Sequence, residues 1–269
     1  MTTVDDAAVQ PHTVQPHITG RQQWWTLTSR GLGSLLRSGE VILALVAPAF
    51  LAVCFYLPLR SIMNSFPGMD YAQFLMPIIT LQSISFVASS AAMRSSFDRA
   101  HGINTRFRTL PMRISIPVLA RISTSLVLLG VALVCATVVC LIIGWRPEGG
   151  VSGTVGLYAI AVAVGASVAL IADAIGLLAS SPEATSQALA LPVLILGMLS
   201  TGFVPESQFP DWIAPFVRNQ PVSQFANAMR AFNDGTATPD VVLPAVWWCI
   251  GLFAVGIALL FLGVRRMQR

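Results

Sequence analysis

Six arginines, Arg94, Arg99, Arg106, Arg108, Arg113 and Arg121, fall in one 28-residue stretch that holds a single acid, Asp98. Guanidinium groups beside a membrane segment bind anionic lipid headgroups and hold their loop on the cytoplasmic side. Phe107 and Leu110 interleave with Arg106 and Arg108, and Pro111 ends the run. Apolar side chains set between cations suit a groove on an acidic protein partner. Other chemistry is poorly provided for. The chain has no lysine, so it cannot supply the cation of a phosphate-binding P-loop. It has no His-Glu-x-x-His helix and no Gly-x-Ser-x-Gly elbow. His101 sits alone in the arginine stretch, and His12 and His17 lie in a polar N-terminal segment without further ligands. Catalysis within this chain is therefore not expected.

The elements that must position these arginines are apolar. Of 269 residues, 55% are hydrophobic and 10% charged, with a mean hydropathy of +0.72. A soluble domain carries about 25% charged residues, so the chain reads as an all-α integral membrane protein. All 16 basic residues are arginine, as a GC-rich genome would encode. Cys54, Cys135, Cys140 and Cys249 each lie inside an apolar run and read as packing residues. Residues 1–19 are polar, contain two prolines and read as a flexible cytoplasmic tail. No cleavable signal peptide is recognisable there.

Residues 20–38 place Trp24, Leu27, Gly31, Leu32 and Leu35 near helical spacing, with Arg30 and Arg37 opposite. That pattern predicts an amphipathic helix lying in the membrane interface; packing on a domain core is the alternative. Residues 39–269 form the membrane domain. Six segments approach the roughly 20 residues that cross a bilayer, near 41–60, 71–93, 116–143, 155–179, 184–203 and 241–263. Twelve arginines then fall on one side and Arg60, Arg146, Arg218 and Arg230 on the other, which places both termini in the cytoplasm. In the fourth segment Ala161, Gly165 and Ala169 make a small-residue stripe that Asp173 continues. A carboxylate costs roughly 2.5–3.5 kcal/mol at mid-bilayer, so Asp173 is expected to face protein or water. It would be a structural acid at a helix interface, or a contact for substrate or a partner arginine.

Residues 204–240 are amphipathic, with Pro210 and Pro221 suited to open short helices. Apolar residues at 222, 225, 226, 229 and 232 keep helical spacing. Two short helices resting on or dipping into the outer leaflet are expected; an outer cap without a role in transport is the alternative.

The run Gly102-Ile103-Asn104-Thr105-Arg106-Phe107-Arg108-Thr109-Leu110-Pro111-Met112 resembles the cytoplasmic loop of type-2 ABC transporter permeases, in particular the daunorubicin-resistance branch. That branch commonly has an acid where this chain has Thr105. Ser200 to Pro205, continuing through Pro210, Trp212 and Pro221 to Arg230, is similar to the family's re-entrant outer helices before the last span, and Ser181-Pro182-Glu183 is similar to the link between its fourth and fifth spans. The resemblance runs from about residue 20 to the end and implies an exporter subunit for lipids or amphipathic drugs in a bacterial plasma membrane. It would pair with a second permease, identical or homologous. Cytoplasmic ATPase subunits would bind ATP and Mg, docking at Gly102, Arg106, Phe107, Arg108, Leu110 and Pro111, and this chain would hold no cofactor itself. An ion-coupled carrier using Asp173, or a non-transporting scaffold, are the rival readings.

Overall fold

The computed structural model describes residues 19–63, 70–103, 106, 109, 112–113, 115–179, 181–203 and 205–268. These residues form nine α-helices and one 3-10 turn, with no strand among them. The helices are α1 (Gly20–Arg37), α2 (Glu40–Met63), α3 (Tyr71–Ala100), α4 (Ser115–Ile143), α5 (Gly150–Leu178), α6 (Pro182–Met198), α7 (Ala214–Asn219), α8 (Pro221–Asn233) and α9 (Pro239–Gln268). The 3-10 turn is Glu206–Gln208.

Five of these, α2, α3, α4, α5 and α9, are long and apolar enough to cross a membrane. The segment expected at 184–203 forms the shorter α6, which ends at Met198. Leu199 to Phe203, where Ser200, Thr201 and Gly202 interrupt the apolar run, form a turn, and the Leu199 N–H caps onto the Ile195 carbonyl. At 1.5 Å per residue α6 is roughly 25 Å long, against about 45 Å for α3.

The core is built around α3. It buries 67% of its most apolar window, whereas α9 buries 11% and α2 17%. Lipid tails solvate the faces of α2 and α9 as well as a protein core would, so helix association depends on close packing. Small residues supply it. A Cβ on Gly176 would lie 2.3 Å from the Ala92 carbonyl of α3, and one on Gly165 would lie 2.6 Å from Leu129 of α4. The hydroxyls of Thr80, Ser83, Ser85 and Ser89 bond carbonyls four residues earlier in α3, so they enter the apolar layer satisfied.

Helix α1 starts at a reciprocal cap: the Gln22 N–H donates to Thr19 Oγ1, and the Thr19 N–H donates to Gln22 Oε1. It rests on α4, with Trp24 Nε1 donating to Ser123 Oγ at 3.1 Å and Thr28 and Leu35 buried. Gly31 permits the approach, since a Cβ there would stand 2.6 Å from Thr124 Oγ1. Trp25 remains 61% exposed. The tryptophans therefore divide between helix packing and the outer face.

Candidate functional site

At the arginine-rich end, four helices meet on Glu40. Its carboxylate opens α2 and accepts hydrogen bonds from Arg94 and Ser90 of α3, and from Ser38 at the end of α1. Arg94 also donates to Ser125 of α4 at 3.0 Å. One acid and one arginine thus tie α1, α2, α3 and α4. The Arg99 guanidinium donates to the Leu177 carbonyl at the end of α5.

A second pair lies one layer in. Arg121 Nε of α4 sits 3.3 Å from Asp173 Oδ1 of α5, and the side chains are 14% and 5% exposed. Asp173 faces protein as expected. Its Oδ2 has no hydrogen-bond partner among the described residues. The stripe preceding it, Ala161, Gly165 and Ala169, is buried, with Gly165 against Leu129. Gly165 is therefore a contact within the chain.

The loop leaves α3 at Gly102, whose φ of +66° is a left-handed conformation that favours glycine. The Gly102 carbonyl accepts from the Arg106 N–H at 3.2 Å, and Arg106 and Thr109 are exposed. Phe107, Arg108, Leu110 and Pro111 lie outside the described residues, as does Thr105. The structure thus leaves Arg106 exposed and Gly102 half-buried, next to Ile103, which lines the same cavity as Glu40 and Arg94.

At the opposite end, Arg230 of α8 is the hub. Its guanidinium donates to the carbonyls of Phe74 (3.2 Å) and Gly202 (3.0 Å) and to Asn227 Oδ1 (3.2 Å), and lies 3.8 Å from the centre of the Phe74 ring. It joins the start of α3, the turn after α6, and α8. Enclosure pulls the guanidinium down to about 9, with Asp234 pulling the other way, so it stays charged at neutral pH. Around it Thr201 N–H donates to Ser223 Oγ, Trp145 Nε1 donates to Asn233 Oδ1, and Gln220 donates to the Leu199 carbonyl. Phe225, Ala226 and Met229 are buried, and Val222 and Phe232 are partly buried.

Pro221 is the first residue of α8. Pro210 instead opens a turn: its carbonyl accepts from Ile213 and Ala214, and α7 begins at Ala214 with Pro215 inside its first turn. The expectation of a helix starting at Pro210 is corrected by about four residues. Pro205 precedes the 3-10 turn, and Trp212 is 80% exposed. Arg218 grips Glu206 through both carboxylate oxygens and holds that carboxyl below its ordinary range.

Two features were not singled out from the sequence. Glu40 was one, although an acid opening an apolar span is a signal in its own right. The other is a 230 Å³ groove between α2, α3 and α6, lined by Pro48, Gln82, Ser85, Phe86, Ser89 and Val193. Gln82, Ser85 and Ser89 recur at helical spacing on one face of an apolar helix, a signal that was available.

A family model described as ABC-2 type transporter matches residues 22–232. The chain is 37% identical over 250 residues to the doxorubicin resistance ABC transporter permease protein DrrB of Mycobacterium tuberculosis, covering 88% of this chain and 86% of that protein. It is 30% identical over 183 residues to the daunorubicin resistance ABC transporter permease protein DrrB1 of Streptomyces coeruleorubidus, covering 68% and 62%. A probable doxorubicin resistance ABC transporter permease protein, DrrC of M. tuberculosis, is 26% identical over 200 residues, covering 71% and 69%.

Proposed function

Given that the chain belongs to the ABC-2 type transporter family and is a multi-pass membrane protein, we propose that it is the permease subunit of an ATP-driven exporter in a bacterial plasma membrane. The observation that carries this reading is the match over residues 22–232, which spans both the arginine-rich loop and the Arg230 hub. The cargo is an amphipathic drug or a lipid, in keeping with the doxorubicin and daunorubicin resistance in the relatives' names.

In this reading α6 is a sixth, short crossing and the turn-α7-α8 unit is a re-entrant outer segment, with Arg230 satisfying carbonyls that no water reaches. The arginine-rich end is cytoplasmic, and so are both termini. A separate ATPase binds ATP and Mg and docks at Gly102, Arg106, Phe107, Arg108, Leu110 and Pro111. Its movement reaches α1, α2 and α4 through the Glu40–Arg94 node, because one rigid polar contact links all three to α3. The groove at Gln82, Ser85 and Ser89 offers hydroxyl and amide groups at bilayer depth and is the pathway candidate within this chain. A second permease copy or homologue completes the pathway.

Reversing Arg106 and Arg108 to Glu tests the docking surface. The double variant is expected to insert normally but to lose co-purification with the partner ATPase, and to lose cargo-stimulated ATP hydrolysis. Unchanged association and stimulation would sink the docking assignment.

A further inference from the structure

The arginine-rich end contains a half-open 320 Å³ cavity between α1, α3 and α4, with Arg30, Arg94, Asp98 and Arg121 in its wall. Two of its arginines are spoken for, Arg94 by Glu40 and Arg121 by Asp173. Arg30 and Asp98 are different. Neither has a hydrogen bond or ion pair among the described residues, and Asp98 lies in the field of Arg121 first, then of Arg30 and Arg94. The wall thus offers an exposed guanidinium, Arg30, and a half-buried carboxylate, Asp98, neither with a direct partner among the described residues.

We propose that this cavity binds the headgroup of a zwitterionic phospholipid bearing a primary amine, phosphatidylethanolamine in chemical class. Arg30 takes the phosphate in a charge-assisted contact, and the ammonium donates to the Asp98 carboxylate. An anionic headgroup would oppose Asp98 and a purely cationic one would oppose Arg30. A choline headgroup carries the charges but has no N–H for Asp98. The volume is at the lower end of ligand pockets, which run about 300–1,000 Å³, enough for a headgroup and not for a whole lipid. Acyl chains have an apolar exit past Phe97, which lines the cavity and is 48% exposed. The bound lipid would wedge α1 against α3 and α4 next to the Glu40–Arg94 node. This assignment rests on the proposed reading of α1 as an interfacial helix, which places the cavity at headgroup depth.

The test uses the full chain in nanodiscs, with retained lipids read by native mass spectrometry in mixtures of phosphatidylethanolamine, phosphatidylcholine and phosphatidylglycerol. About one ethanolamine lipid per chain should survive delipidation in preference to the other two. Arg30→Gln and Asp98→Asn should each cut that retention about tenfold, the scale of one charge-assisted hydrogen bond. Arg37→Gln, on the same helix, should leave it unchanged. Preference for phosphatidylglycerol or equal retention in Asp98→Asn would overturn the assignment. If Arg30→Gln fails to fold, the lipid preference of the natural chain and of Asp98→Asn still decides. Quenching of a fluorophore at position 25 by brominated lipid reports separately whether α1 lies at the interface. ATPase co-purification with Arg30→Gln separates failure of the cavity from failure of the transporter reading.

Discussion

Arg121 and Asp173 show why a buried pair is better probed by breaking it than by counting it. Their mutual attraction offsets a large desolvation cost, so the net contribution of the intact pair is small. Arg121→Ala, however, leaves a carboxylate at 5% exposure without its cation. A loss of about 3–5 kcal/mol is expected, read as a lower thermal midpoint in detergent, and Asp173→Asn in the same background should recover part of it. Arg230 is expected to behave differently from an ordinary surface arginine. Lysine cannot reproduce a fork that reaches two carbonyls and an amide while covering Phe74. Arg230→Lys should cost about 3 kcal/mol in the same measurement, and near-equality with the natural chain would show that the hub is loosely held. The Glu206–Arg218 clip makes a pH prediction. Because Arg218 holds Glu206 below the usual carboxylate range, the clip contributes fully above that range and is lost as pH falls through the lowered value. Limited proteolysis across 206–218 should accelerate on acidification, and Arg218→Gln should abolish the dependence. The role of Asp173 as an interior acid was readable from its place in an apolar helix. Its partner, 52 residues earlier, was one arginine among six, and nothing in the spacing singled out Arg121.

At the scale of elements, long apolar runs make α2, α3, α4, α5 and α9 legible, because a helix in lipid must bond its own backbone and needs a minimum length. Where small and polar residues interrupt an apolar run, the point at which the helix ends is harder to read. Leu199 to Phe203 illustrate this, since the turn is stabilised by Ser200, Thr201 and Gln220 across the fold. Pro210 misled for a related reason: proline suits both a turn and a first helical position. The amphipathic pattern of α1 was visible, but its docking on α4 depends on Gly31 meeting Thr124, a contact that periodicity does not encode. Gly31→Val should overpack that contact by about 1–3 kcal/mol. It is expected to weaken Trp24–Ser123 contact and lower cargo-stimulated ATP hydrolysis by the partner without preventing membrane insertion. Unchanged stimulation would show that α1 is not part of the mechanical route.

For the molecule as a whole, the polar contacts gather at two ends and the apolar faces of α2 and α9 lie outermost. One end carries the loop at Gly102 and the Glu40–Arg94 node, and the other carries the Arg230 hub. α3 runs between them, with the Gln82, Ser85 and Ser89 groove partway along it. A motion imposed at the first end therefore has a continuous, well-packed helix through which to reach the second. That arrangement suits a subunit that converts the work of a separate ATPase into movement of cargo. The measurement that tests this most directly is uptake of doxorubicin into inverted membrane vesicles containing this chain and the proposed partner ATPase. Uptake should require ATP, persist when ion gradients are collapsed, and vanish when Arg106 and Arg108 are reversed to Glu. Uptake by this chain alone, driven by an ion gradient without ATP, would contradict the account.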